Sequence, residues 1–123
     1  MKVYTSYYDN IDNLPDNVVP ISIAGRCPEW YFGLEFKSLA PKIGFFKEWK
    51  KNHDNNFYIE HFNKEVLNLL DANDVMFKLH KLSKGQDIVL LCYEEPGLFC
   101  HRHLVAEWLC KNGYYVEEYR EVA

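Results

Sequence analysis

Residues 87–113 read DIVLLCYEEPGLFCHRHLVAEWLCKNG, and the fold is decided there. Ile88, Val89, Leu90 and Leu91 follow one another without polar alternation. A strand that is apolar on both faces belongs in the middle of a parallel sheet covered on each side. Pro96 and Gly97 predict a turn after it. From Cys100 or His101 onward, Leu104, Val105, Trp108 and Leu109 recur at helical spacing, and Gly113 stops the helix. Residues 114–119, YYVEEY, predict a returning strand, so the whole unit is a βαβ crossover of about thirty residues.

Working outward, residues 2–8 (KVYTSYY) and 18–24 (VVPISIA) are rich in β-branched and aromatic residues and predict two further strands. Pro20 lacks a ladder donor and is expected at an edge, at a bulge or near a strand start. Residues 9–17, DNIDNLPDN, form a surface connection of turn formers. Residues 27–40 are irregular and aromatic; a loop folded back on the core is favoured over a ligand-stacking role. Pro41 is expected to open a short helix over residues 41–52. Ile59, Phe62, Val66, Leu69 and Leu70 predict an amphipathic helix over 57–70. A second helix, capped by Asp71 or Asn73, places Val75, Met76, Leu79 and Leu82 inward. This alternation gives an α/β class: a single three-layer domain over residues 1–123, with a mostly parallel sheet of about four strands flanked by helices.

The chain has 123 residues, is 48% hydrophobic and 26% charged, and is long enough for a real core. A net charge of -4 argues against a nonspecific nucleic-acid binder, which carries a basic surface. No run of eighteen apolar residues occurs, so no membrane span is expected. The first ten residues, MKVYTSYYDN, lack a signal-peptide core, so a cytoplasmic location is expected. The four cysteines (Cys27, Cys92, Cys100 and Cys110) are then expected to be reduced rather than paired.

Ligands of open parallel sheets bind beyond the carboxyl ends of the strands. Ser6 and Tyr8 end the first strand, Arg26 and Cys27 follow the second, and Cys92 and Glu94 end the third. Cys100, His101 and Arg102 open the following helix, whose start carries free N–H groups and partial positive charge. With Arg26 and Arg102 nearby, this edge should favour a small anionic ligand. A helix start flanked by His101 and Arg102 would lower the Cys100 thiol pKa. Cys92 and Cys110 read as packing residues, and Glu94 as a salt-bridge partner of Arg102 or Arg26 before it reads as an acid/base.

Sharper motifs are absent. Leu98 and Ala106 stand where the arginine of a cysteine-phosphatase loop would follow Cys92 or Cys100. No glycine-rich phosphate loop and no H-E-x-x-H occurs. His101 and His103 are two apart and would point to different sides of a helix. No cofactor is predicted. A zinc or iron–sulfur site through Cys27, Cys92, Cys100 and His101 is the minor alternative, since paired C-x-x-C spacing is missing.

Residues 90–109, LLCYEEPGLFCHRHLVAEWL, resemble the signature of the family called domain of unknown function 488. The matching residues are Cys92, Glu94, Cys100, His101, Arg102, Ala106, Glu107, Trp108 and Leu109. Residues 21–28, ISIAGRCP, resemble an early strand-and-arginine segment, although many members carry an Asp-Val-Arg type sequence where this chain has Ala24, Gly25 and Arg26. LAPK, residues 39–42, resembles a further segment of one branch. The resemblance makes the strand-to-helix junction a better candidate site than spacing alone does, and it supplies no reaction.

Three readings follow. One is an enzyme acting on a phosphorylated or nucleoside-like small molecule, with Cys100 as nucleophile, Glu94 or His101 moving protons, and Arg26 and Arg102 holding the anion. Another is a noncatalytic nucleotide or anion binding module, in which Arg26, Arg102 and the helix amides recognise the charge, Trp30 or Tyr31 stacks, and Ser6 and Cys27 line the ligand. The last is an accessory protein that contacts a partner through the aromatics of residues 29–36.

Overall fold

The computed structural model describes residues 1–94 and 98–120. Its strands are β1 (Val3–Tyr7), β2 (Val18–Ser22), β3 (Leu34–Glu35), β4 (Asp87–Cys92) and β5 (Val116–Glu118). They form one sheet in the order β3-β2-β4-β1-β5, and every pairing is parallel. The apolar run is thus the central strand, as its lack of alternation requires. Ile88, Val89, Leu90 and Leu91 are each 0% exposed. β1 lies beside β4 with Tyr7 level with Cys92, and β2 lies on its other side with Ser22 level with Leu91.

Four α-helices follow: α1 (Ile43–Asn52), α2 (Asn55–Glu65), α3 (Ala72–Ser83) and α4 (His101–Lys111). Alternate residues of β4 serve different cores. Ile88 and Leu90 pack with Phe62, Leu79, Val105 and Leu109 of the helices. Val89 and Leu91 pack with Tyr8, Val18 and Tyr31. The second covering layer is therefore built from the 3-10 helix Tyr8–Asn13 and the aromatic segment after β2. Burying each large aliphatic side chain of β4 stabilises the fold by about 1.5–3 kcal/mol.

Some elements differ from their sequence reading. A fifth strand, β3, arises inside the segment expected to be irregular. Both of its residues are exposed, so no apolar pattern announces it. Tyr31 donates to the carbonyl oxygens of Leu34 at 2.7 Å and Pro20 at 3.4 Å, fixing the segment against the sheet edge. Pro20 sits inside β2, but β3 pairs only from Ile21 onward, so the missing donor faces no strand. α1 begins at Ile43 rather than Pro41. α2 is capped by Asp54, whose carboxylate accepts from the amides of Asn56 and Phe57. It ends at Glu65, and a 3-10 turn (Leu67–Leu69) buries Leu67 at 2% exposure while leaving Leu69 74% exposed. Leu82, expected inward, is also exposed. The turn expected at Pro96 and Gly97 lies outside the described residues. Among the described residues, no helix is long and apolar enough to cross a membrane.

Candidate functional site at the carboxyl edge of the central strand

The buried face of α4 carries His101, Arg102, Val105 and Leu109. The apolar pair anchors the helix to the sheet, and the polar pair is carried under the helix start with it. Cys100 is the N-cap residue and gives no side-chain cap. Its sulfur meets that of Cys92 across a Cα separation of 7.2 Å, wider than a disulfide usually spans. Cys27 and Cys110 stand apart from this pair. The two ends of the 92–100 segment come together because β4 terminates where α4 begins.

His101 lies against the edge of the Phe62 ring, 5.6 Å between centroids. Its Nε2 is 2.7 Å from the carbonyl oxygen of Ile23, just past the end of β2. A carbonyl only accepts, so Nε2 carries the proton and Nδ1 keeps its lone pair. Nδ1 faces the Cys100 sulfur at 4.0 Å. Burial, reinforced by the neighbouring Arg102 charge, pushes the imidazole down to about 4, so it is neutral at pH 7.

Arg102 is 0% exposed. Its Nε and Nη2 donate to the two carboxylate oxygens of Glu118, at 3.0 and 2.9 Å. Nη1 donates to the Cys92 sulfur at 3.3 Å and to the carbonyl oxygen of Glu94. Four donations from five N–H groups leave little of the guanidinium for a ligand. Thr5 adds a further donor to Glu118 at 2.7 Å. The ion-pair partner is therefore Glu118 of β5, while Glu94 contributes its carbonyl and keeps an exposed side chain.

A second polar cluster occupies the opposite face of the sheet. The Cys27 thiol donates toward Glu35 Oε1 at 3.1 Å and Ser22 Oγ at 3.2 Å, and the Tyr8 hydroxyl bonds the same Ser22. Burial pushes the Cys27 thiol upward, with Glu35 adding to the shift. Trp30, 52% exposed, stands edge-on to Tyr8 with centroids 6.2 Å apart. An open groove of about 200 Å³ runs along Tyr8, Asp9, Ile11, Asp12 and Trp30.

The residues expected to form one site are thus divided. Cys92, Cys100, His101 and Arg102 converge under α4. Cys27 and Trp30 lie across the sheet. Ser6 is fully buried, accepting from Asn10 Nδ2 at 3.0 Å. Arg26 is exposed, and its carbonyl accepts from the Tyr93 hydroxyl. Sequence reading missed Glu118, the Ile23 carbonyl and Glu35. The alternation of β5, with Val116 buried and Glu117 exposed, was the signal that Glu118 points inward.

A family model described as the active DUF488-N3 subclade matches residues 13–113. The chain belongs to the DUF488 family. No curated protein and no solved structure gives a significant match. The matched span of this DUF488 chain contains the Cys92, Cys100, His101 and Arg102 cluster, while Glu118 lies beyond it.

Proposed function

We propose that this protein is an enzyme acting on a phosphorylated or nucleoside-like small molecule at the carboxyl edge of its sheet. The Cys92–Cys100 pair and His101 form its reacting centre. The observation that carries this reading is the unprotonated Nδ1 of a buried, neutral imidazole aimed at a sulfur. Two cysteines and an imidazole buried together cost stability relative to an apolar core, and strongly perturbed titratable groups gather at functional sites. The edge is also where ligands of parallel sheets bind, and the matching family model is described as the active subclade. Arg102 positions Cys92 and the backbone at Glu94, and the exposed Arg26 is the cation that meets the substrate's anionic group. The groove beside Trp30 carries Asp9 and Asp12, which repel an anion, so stacking at Trp30 is a weaker basis for a noncatalytic module.

A thermal-shift screen of nucleotides and sugar phosphates, followed by mass spectrometry of incubated hits, tests the proposal. A stabilising compound should be converted by the wild type and left intact by His101→Ala, while Arg26→Ala should weaken its binding. A compound that binds and is never converted makes the protein a binding module. No stabilisation by any member of either class removes this substrate class.

A further inference from the structure

We infer that, once reduced, Cys92, Cys100 and His101 hold one borderline-soft divalent cation of the zinc kind. The inference rests on the preceding reading for the importance of the centre and deepens it by naming what the centre carries. The ligating atoms of all three buried residues lie within 4.8 Å of one another. Two sulfurs and one imidazole nitrogen suit zinc, and three protein ligands leave a fourth tetrahedral position for water or substrate.

Several details fit a cation better than sulfur packing alone. Metal-bound histidines commonly donate their other ring N–H to a carbonyl or carboxylate, which fixes the tautomer and aims the free nitrogen. His101 does this through Ile23. Its Nδ1 lone pair faces the Cys100 sulfur at 4.0 Å, so both donor atoms look into one space. The buried Arg102 guanidinium donates to the Cys92 sulfur, an interaction that favours thiolate, and the thiolate is the metal-binding form. The Cα separation of 7.2 Å also exceeds the roughly 4.4–6.8 Å usual for disulfides. Two thiolates on one cation stand farther apart than two bonded sulfurs. Cys27 is excluded from the set because its thiol is engaged with Ser22 and Glu35 on the other face.

The two states interconvert with a balanced exchange. Two molecules of an external thiol give two electrons and two protons to the Cys92–Cys100 bond and leave as one disulfide. The cation then displaces the protons of both cysteine thiols and releases them to solvent.

The test is an anaerobic titration of the reduced, desalted full chain with Co²⁺. Sulfur-to-cobalt charge-transfer absorption and tetrahedral d–d bands should saturate near one equivalent and vanish when Zn²⁺ is added. A Cys27→Ser/Cys110→Ser chain should behave like the wild type. Cys92→Ser and Cys100→Ser should each lose about half of the charge-transfer intensity, and His101→Gln should shift the d–d bands. If those variants do not fold, Zn²⁺ should still protect Cys92 and Cys100 of the wild type from iodoacetamide. Absence of the sulfur–cobalt band in the wild type overturns the inference, as does dependence of that band on Cys27. A bound cation without turnover on any substrate leaves this inference standing and removes the enzyme reading. Turnover by a chain that binds no cation does the reverse.

Discussion

His101 and Ile23, 78 residues apart in sequence, are joined by a 2.7 Å hydrogen bond from the imidazole to the carbonyl oxygen. This bond ties the first turn of α4 to the end of β2 and sets the imidazole tautomer. In the cation-free protein, nitrogen-15 NMR should find His101 neutral with the proton on Nε2 at pH 7 and still neutral at pH 5. Its folded-state pKa of about 4 lies below the ordinary 6.5. The associated stability is therefore fully present above about pH 6.5 and is lost as pH falls through about 4. An imidazolium signal at pH 6 would contradict the assigned environment.

Glu118 is the counter-charge of a fully buried guanidinium. Glu118→Ala leaves Arg102 charged and unpaired and should lower unfolding stability by about 3–5 kcal/mol in denaturant titrations. The double change Arg102→Leu/Glu118→Leu should recover part of that loss, because neither charge is then stranded. A double-variant loss as large as the summed losses of the two single changes would show that the pair is not coupled.

The thiols should fall into two classes. In protein isolated without reductant and then denatured, two thiols should react with a chromogenic disulfide reagent, and four should react after reduction. In the native state Cys110, which is exposed, should label faster than Cys27, whose pKa is raised by burial. Peptide mapping that finds Cys92 free in the oxidised chain would break this assignment.

Alkaline stability should fall early. Burial raises Tyr31 to about 12 and pushes Tyr8 and Tyr58 up as well, above the ordinary value of 10.0. For groups raised in the folded state, the contribution is intact below about pH 10 and is lost as pH rises toward the folded values. Denaturation midpoints should therefore drop as pH rises above about 10, and Tyr58→Phe should flatten the slope. A midpoint independent of pH over that range would mean these hydroxyls titrate normally.

Much of the architecture was readable because β4 has no polar alternation and α4 has a clear apolar period. Those patterns place the strand centrally and the helix after it, and with them the Cys92, Cys100 and His101 junction. The two exposed residues of β3 carry no such pattern, because their place depends on Tyr31 reaching back to Pro20 and Leu34. The end of α2 was misread because Leu69 and Leu70 continue a helical period that the chain breaks at Val66. At the site, residue types were legible and partners were not. Arg102 was read as facing a ligand, whereas strand order brings β5 close enough for Glu118 to occupy it. Cys27 and Cys92 were grouped because both follow strands, and only side-chain direction separates them across the sheet.

Ser22 and Ile23 are consecutive, yet they look into different chambers. The hydroxyl of Ser22 is held by Tyr8 and Cys27, and the carbonyl of Ile23 is held by His101. This dipeptide is thus a shared wall between two sulfur-bearing compartments. A change that levers this dipeptide by even a fraction of an ångström is felt on both sides at once, so neither compartment can be redesigned in isolation.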